Sequence, residues 1–428
     1  MKKIFFVFLL GLSVITAQSN QKGNVIFIHP DGTGLSDWNA LRLIKVGPDN
    51  DLNWDKLSGI GLYQGHIRNR ATSSSNAGAT IHAYGVKADV DDFGLIDNQI
   101  PTARSGEKMS IMQEAMKNGI AVGIINSGSI EEPGTAVFLT SNIKRSNYLE
   151  IAKDVIQSGA DLIFCGGEEF LIPEGVKGKH STNGKRKDNL NLIDWALKNG
   201  YTVIYTREEL MNLSPQLPKK VLGVFASRST FNDETEEFLR EKNLPNYSTT
   251  APTLAEMTSF AIEFLSRKGQ FFLVVEEEGT DNFGNRNNAN GKLEALSRAD
   301  DAIGVALNFI ENNSNTTLIT ASDSEAGGME VAGYEIDNFE NLKTLPERDG
   351  NGSPLDGVEG TGTALFVSKP DRNGKSFPFA IAWSCYGDVT GGVVARAHGL
   401  NAEKMKGKID NTDIYRIMYL SLFGIWLN

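Results

Sequence analysis

The sequence predicts an α/β fold, a mostly parallel central sheet flanked by helices on both faces. Short, wholly apolar runs such as Val25–Ile28 and Phe271–Val275 have the length and composition of strands buried on both sides. Stretches with helical spacing separate one such run from the next, the pattern of successive strand–helix units. Polar residues follow directly on several apolar runs, at the carboxyl ends of strands, where the loops of such a sheet gather into an active site.

Taken in order, Asn24–Ile28 reads as the first strand and Asp31–Gly34 as a turn, with Ser36 placed to cap a helix running through Asn39–Leu43. A helix over Ile111–Lys117 then leads to a strand over Ala121–Ile125, and one over Tyr148–Ser158 leads to Asp161–Phe164. Leu192–Lys198 precedes Tyr201–Tyr205, Leu254–Ser266 precedes Phe271–Val275, and Leu293–Ile310 precedes Thr317–Thr320. From about 327 to 379 this rhythm breaks into a Gly-, Pro-, Asp- and Asn-rich stretch. It reads as an inserted loop or small subdomain near the site, or as a long surface loop without a role. No repeat of fixed period is present.

The 428 residues are 40% hydrophobic and include 22 Phe, enough to bury a large core in one main domain. The net charge of −11 and the lack of any Lys/Arg run argue against a nucleic-acid partner. Residues 1–17 read as a signal peptide: Lys2 and Lys3, an apolar stretch Ile4–Ile15, then Thr16-Ala17 before Gln18. The expectation is therefore an exported, periplasmic or extracellular protein whose domain occupies 18–428, with no membrane span elsewhere. Cys165 and Cys385 have no metal-binding spacing; a disulfide and two free thiols are both compatible with the sequence.

The strand-end polar residues are Asp31, the run Glu276–Asp281, and Ser322-Asp323. One such acid commonly caps a helix, but several together are costly unless they bind a hard or borderline cation. Ala71–Thr80 is rich in Ser and small residues, and Asn76–Ala79 suit a helix start that packs closely against something. A hydroxyl there would meet free N–H groups and the positive end of the helix dipole, which favours a phosphoryl dianion and a serine alkoxide. A Ser-rich helix cap is the ordinary alternative. His29 lies two residues before Asp31 and on the same side of an extended chain, so it is a ligand, an acid–base group or a hydrogen-bonded structural residue. His82, two helical turns after Ser75, reads as structural.

These segments resemble the alkaline phosphatase family along most of the chain. Thr72–Lys87 is similar to the family's nucleophile segment, which places Ser75 on the nucleophile and Ser74 where the family has Asp. Ile28–Gly34 resembles the first-strand motif, with Asp31 on its bridging metal ligand. Asn126–Phe138 and Thr140–Arg145 resemble the stretch whose last residue clamps phosphate, here Arg145, and Gly166–Gly175 is similar to the family's Gly-Gly segment. Val274–Asp281 resembles the strand supplying two ligands, Glu276 and Asp281, and Leu318–Asp323 the segment that supplies Asp323.

The family's zinc-binding histidines are missing by position. One falls on Asn285, one on Ser324 or Asp323, and one near Asp388–Gly392, while a hydroxyl ligand falls on Gly134 beside Thr135. The implied ligand set is Asp31, Ser75, Glu276, Asp281, Asn285 and Asp323, oxygen-rich and suited to Mg²⁺, Ca²⁺ or Mn²⁺ where the family uses Zn²⁺. The resemblance implies a metal-dependent phosphomonoesterase working through a phosphoserine intermediate on a small phosphate ester. The alternatives are a phosphodiesterase or sulfatase, or a degenerate member that binds an anionic ligand. Monomer and homodimer are both compatible with the sequence.

Overall fold

The computed structural model describes residues 21–333 and 342–428. The expected signal peptide, 1–17, lies outside the described residues, as does part of the 327–379 stretch.

The strands of the main sheet are β1 (Asn24–Pro30), β2 (Gly59–Gln64), β3 (Ala121–Ser129), β4 (Leu162–Gly166), β5 (Tyr201–Ile204), β6 (Lys220–Val224), β7 (Phe271–Glu277) and β8 (Thr316–Thr320). After the intervening short strands β9 (Glu325–Ala326), β10 (Met329–Ala332), β11 (Leu355–Gly357), β12 (Gly360–Thr361), β13 (Phe366–Val367), β14 (Pro378–Trp383) and β15 (Asp388–Val389), the chain returns to it with β16 (Val394–Gly399) and β17 (Lys406–Asp410). The ten strands run β17-β2-β16-β8-β1-β7-β3-β4-β6-β5. β16 alone is antiparallel to its neighbours among these described strands; the other pairings are parallel.

Both faces are covered, which is why the central strands are apolar at every position. Val25 and Phe27 of β1 join one core layer with helices α2 (Ser75–Tyr84), α3 (Ile111–Lys117), α5 (Tyr148–Gln157), α6 (Leu192–Lys198) and α12 (Thr412–Phe423). Ile26 and Ile28 join the opposite layer with α1 (Leu35–Lys45), α9 (Leu254–Ser266) and α11 (Ala289–Asn312). Fully burying each such Ile or Phe stabilises the fold by roughly 1.5–3 kcal/mol. The shorter helices are α4 (Pro133–Ala136), α7 (Arg207–Asn212), α8 (Glu236–Lys242) and α10 (Gly279–Asn285).

One expectation changes. Ser36 does not cap α1: the helix begins at Leu35, the Asp37 carboxylate accepts the Gly34 N–H at 2.6 Å, and the Ser36 hydroxyl donates to Glu330. The irregular stretch after Gly327 holds a small second sheet built from β10 to β14, packed around Leu345, Leu355, Leu365 and Ala380.

Candidate active site

β8, β1, β7 and β3 are neighbours, so their carboxyl ends open on one place. The β1–β7 register sets His29 beside Glu276, and the β3–β7 register sets Asn126 on the other side of Glu276. Asp31 follows β1, Asp323 follows β8, and α10 begins just after β7. Its Asp281 and Asn285, four residues apart, share one helix face.

α2 enters from the side. Ser74 is its N-cap, accepting the Ala77 N–H at 3.3 Å, which leaves Ser75 as the first helical residue with its hydroxyl uncommitted to capping. Ser75 Oγ donates to Asp31 Oδ2 at 3.0 Å. The small residues of this segment are explained by what they touch: a Cβ on Gly78 would stand 2.3 Å from Asp323 Cβ and 2.5 Å from its Oδ2. Gly78→Ala should therefore destabilise the fold by about 1–3 kcal/mol and displace Asp323. Melting curves check the first, and a crystal structure of the variant the second.

The remaining polar groups join in a connected set. Asn285 Nδ2 donates to Asp281 Oδ2 at 2.9 Å and to Asp388 Oδ1 at 3.3 Å. Asn126 Nδ2 donates to Glu276 Oε2 and to Thr135 Oγ1, so the Thr135 hydroxyl reaches Glu276 only through the amide. Gly134 packs directly on Glu276. His29 Nδ1 lies 2.8 Å from the Ala321 carbonyl oxygen, and its Nε2 lies 3.3 Å from Asp31 Oδ1 and 3.9 Å from Glu276 Oε1. Arg145 donates through Nη2 to Glu132 at 2.5 Å, at the rim of the site. His82 is structural as expected, bonded to the Tyr63 hydroxyl at 2.8 Å.

The structure thus brings Asp31, Ser75, Glu276, Asp281, Asn285 and Asp323 into one connected, mostly buried cluster, with Arg145 at its edge. Sequence reasoning passed over Glu278. It is 1% exposed, and its carboxylate lies with those of Asp31 and Asp281, one oxygen from each within 4.8 Å of the others. Alternation could have found it, because residues 276 and 278 share a side while Glu277 faces Arg298 and Ser127. Asp388 arrives through the β9–β15 pairing, which seats it opposite Ala326.

Crowding of acids dominates the electrostatics. Burial, then the charges of neighbouring carboxylates, push Glu278, Asp281 and Asp323 well above the usual carboxylate range. Glu276 is pushed up to about 8, chiefly by burial. Burial also opposes ionisation of Asp31, but its bonds to His29 and Ser75 outweigh that and hold it low. For His29, burial acts to lower the pKa, and the bond to Asp31 with the charges of Asp31 and Glu276 more than reverses it.

Glu276 Oε1, Glu278 Oε2, Asp281 Oδ1, Asn285 Oδ1 and Asp323 Oδ2 are buried and have no hydrogen-bond partner among the described residues. Several unpartnered oxygens on one acidic cluster fit divalent cations, which would satisfy them and neutralise their repulsion. A pH dependence follows. Glu276 keeps its proton to about pH 8 in the cation-free fold, against an ordinary 4.5, so the stability this proton contributes is intact below pH 4.5 and is lost as pH rises towards 8. The cation-free melting temperature should fall across that window, and Mg²⁺ or Mn²⁺ should flatten the fall; calorimetry with and without the ion checks it.

A family model described as "Alkaline phosphatase" matches residues 22–423. The chain is 26% identical to a membrane-bound alkaline phosphatase of Bombyx mori over 86% of this chain and 72% of that protein. It is 25% identical to an alkaline phosphatase of Gadus morhua over 76% and 74%. Among solved structures, the alkaline phosphatase of Thermus thermophilus superposes with a TM-score of 0.72 at 22% identity, covering 97% of this chain and 96% of that one. The enzyme of the Antarctic bacterium TAB5 superposes at 0.70 and 24% identity, covering 95% and 99%. These superpositions match the fold described above.

Proposed function

The chain belongs to the alkaline phosphatase family, and from that premise we propose that it hydrolyses phosphate monoesters by way of a phosphoserine, with divalent cations bound. Family and fold support a phosphoesterase. The observation that carries the finer reading is Ser75: its hydroxyl stands at the N-terminus of α2, 3.0 Å from Asp31 Oδ2 and against a cluster of unpartnered carboxylate oxygens.

In this account Ser75 Oγ forms a bond to phosphorus as the ester oxygen leaves in line. The N-terminal N–H groups of α2 face the phosphoryl oxygens. Arg145 supplies paired donors to those oxygens, while Glu132 holds its Nη2 edge. Asp31 orients the serine. Divalent cations held by Asp31, Asp281, Asn285 and Asp323, with Glu276, Glu278 and Asp388 alongside, would supply the positive charge that favours the serine alkoxide and the departing oxygen. Water then attacks the phosphoserine, releasing phosphate and restoring the hydroxyl. The segment 1–17 supports export to the periplasm or beyond; no helix among the described residues is long and apolar enough to cross a membrane.

The test is release of phosphate from an aryl phosphate before chelation, after it, and after adding back Mg²⁺, Mn²⁺, Ca²⁺ or Zn²⁺ singly. Turnover that chelation removes and one of these ions restores is the expected result. No turnover with any of them, alongside binding of inorganic phosphate, would make the chain an anion binder.

A further inference from the structure

We propose that His29, Asp31 and Glu276 form a mixed nitrogen–oxygen site for a transition-series divalent cation, with His29 Nε2 as a ligand. The inference rests on the cation-dependent reading above and deepens it, since it assigns the chain's site imidazole to one particular cation.

The backbone makes the juxtaposition. Parallel pairing of β1 with β7 sets His29 opposite Glu276, and the period of two along the chain sends His29 and Asp31 to the same side. His29 Nε2 and one oxygen each from Asp31 and Glu276 lie within 4.8 Å of one another, all three residues being buried. Ligand bonds of about 2.0–2.2 Å to a central ion place donor atoms roughly 3–4 Å apart, so a small adjustment closes this triangle on a cation.

The tautomer is decided by the partner. Ala321 offers His29 Nδ1 a carbonyl oxygen at 2.8 Å. A carbonyl can only accept, so Nδ1 carries a hydrogen; on the other side, the proton that Nε2 shares with Asp31 at 3.3 Å in the cation-free fold is the one a cation would displace, its lone pair then facing the ion beside Asp31 and Glu276. A ligating histidine whose other ring nitrogen donates to a backbone carbonyl is held in this same way in metal sites generally. The ring is also fixed by its neighbours: Phe27 and His82 pack on it with centroids 5.7 Å away in each case.

Glu276 provides the second, independent observation. Its Oε2 takes the Asn126 amide, whereas Oε1, the oxygen facing His29, is fully buried and has no hydrogen-bond partner among the described residues. His82 does not compete, because its Nε2 is bonded to the Tyr63 hydroxyl. One imidazole with two carboxylates suits Mn²⁺, Fe²⁺, Co²⁺ or Zn²⁺ better than Ca²⁺. The neighbouring set of Asp281, Asn285, Asp388 and Glu278 offers oxygen alone. The two halves of the cluster therefore differ in the ions they prefer.

The experiment is pulsed electron paramagnetic resonance of the chelated full chain loaded with Mn²⁺ to saturation, using protein grown with natural and with ¹⁵N-labelled histidine. The expected result is an imidazole nitrogen coupling on Mn²⁺ that changes with the isotope. It should vanish in His29→Asn and persist in Asp281→Asn. In calorimetric titrations His29→Asn should weaken Co²⁺ binding at one site by more than the roughly 10–100-fold typical of losing an outer partner, with far less effect on Mg²⁺. Mn²⁺ bound to saturation in the wild-type chain without isotope-sensitive coupling overturns this inference and leaves the cation-dependent reading standing; that outcome needs no variant to fold. A chain that binds no Mn²⁺ overturns this inference, and one that binds none of Mg²⁺, Mn²⁺, Ca²⁺ and Zn²⁺ overturns both.

Discussion

Ser75→Ala is expected to abolish phosphate release, lowering kcat by about 10³-fold or more, the scale seen when an attacking residue is removed from a site that keeps its charges. The fold should hardly notice. Ser75 occupies the first turn of α2, but the cap is Ser74, whose side chain accepts the Ala77 N–H. Removing Ser75 Oγ takes away the bond to Asp31, which keeps the Gly32 N–H at 2.8 Å and His29 as partners. The melting temperature should stay within about 2 °C, because the lost bond is worth roughly 1 kcal/mol. Ser74→Ala is the contrasting variant: losing the cap costs about 1 kcal/mol of stability while leaving the nucleophile in place. Aryl phosphate kinetics with calorimetry on the two variants separates chemistry from folding, and near-normal turnover by Ser75→Ala would remove Ser75 from the mechanism.

Asp281→Asn should pull activity and stability in opposite directions. Burial first, and then the neighbouring charges of Asp388 and Asp31, push the pKa of the Asp281 carboxyl well above the ordinary range. A neutral residue of the same shape relieves that repulsion and can still accept the Asn285 amide. The cation-free protein should therefore melt at the same temperature or about 1–3 °C higher. With one charge gone from the cation cluster, kcat should fall about 100-fold or more and the stabilisation by added Mg²⁺ or Mn²⁺ should shrink. Scanning calorimetry with and without the ion, paired with kinetics, checks both halves. A variant that loses stability without the ion yet keeps its response to it would show Asp281 to be a structural acid.

Much of this was legible in the sequence because the strands are buried on both faces and so appear as uninterrupted apolar runs. The helices Ile111–Lys117, Leu192–Lys198 and Leu254–Ser266 fall where their spacing puts them. Asp31, Glu276 and Asp323 could be read as a group because each directly ends or follows such a run. β2 was hidden: its outward Ile60 and Leu62 are exposed and its inward positions include Gly59 and Gly61, so neither face carries an apolar signal. β16 and β17 follow a Gly-rich stretch and pair at the far side of the sheet.

The rest of the site depended on tertiary contacts that no local pattern carries. Asp388 meets Asn285 only because two residues of β15 pair with two of β9. Glu278 shares its side of the chain with Glu276, but its meeting with Asp31 and Asp281 depends on how β1 and α10 come together. Its neighbour Glu277 has the same side chain and serves the opposite purpose, bonding Ser127 and Arg298 within the core. The orientation of the His29 ring likewise turns on one carbonyl, that of Ala321, just past the end of β8 and far away in sequence.

The central claim is that Ser75, not water, makes the first bond to phosphorus. Two successive in-line displacements restore the original configuration, so hydrolysis in ¹⁷O-water of a phosphorothioate monoester made chiral at phosphorus with ¹⁶O and ¹⁸O should release chiral thiophosphate with net retention. Inversion would mean that water attacks the ester directly and that the serine beside Asp31 is not the nucleophile.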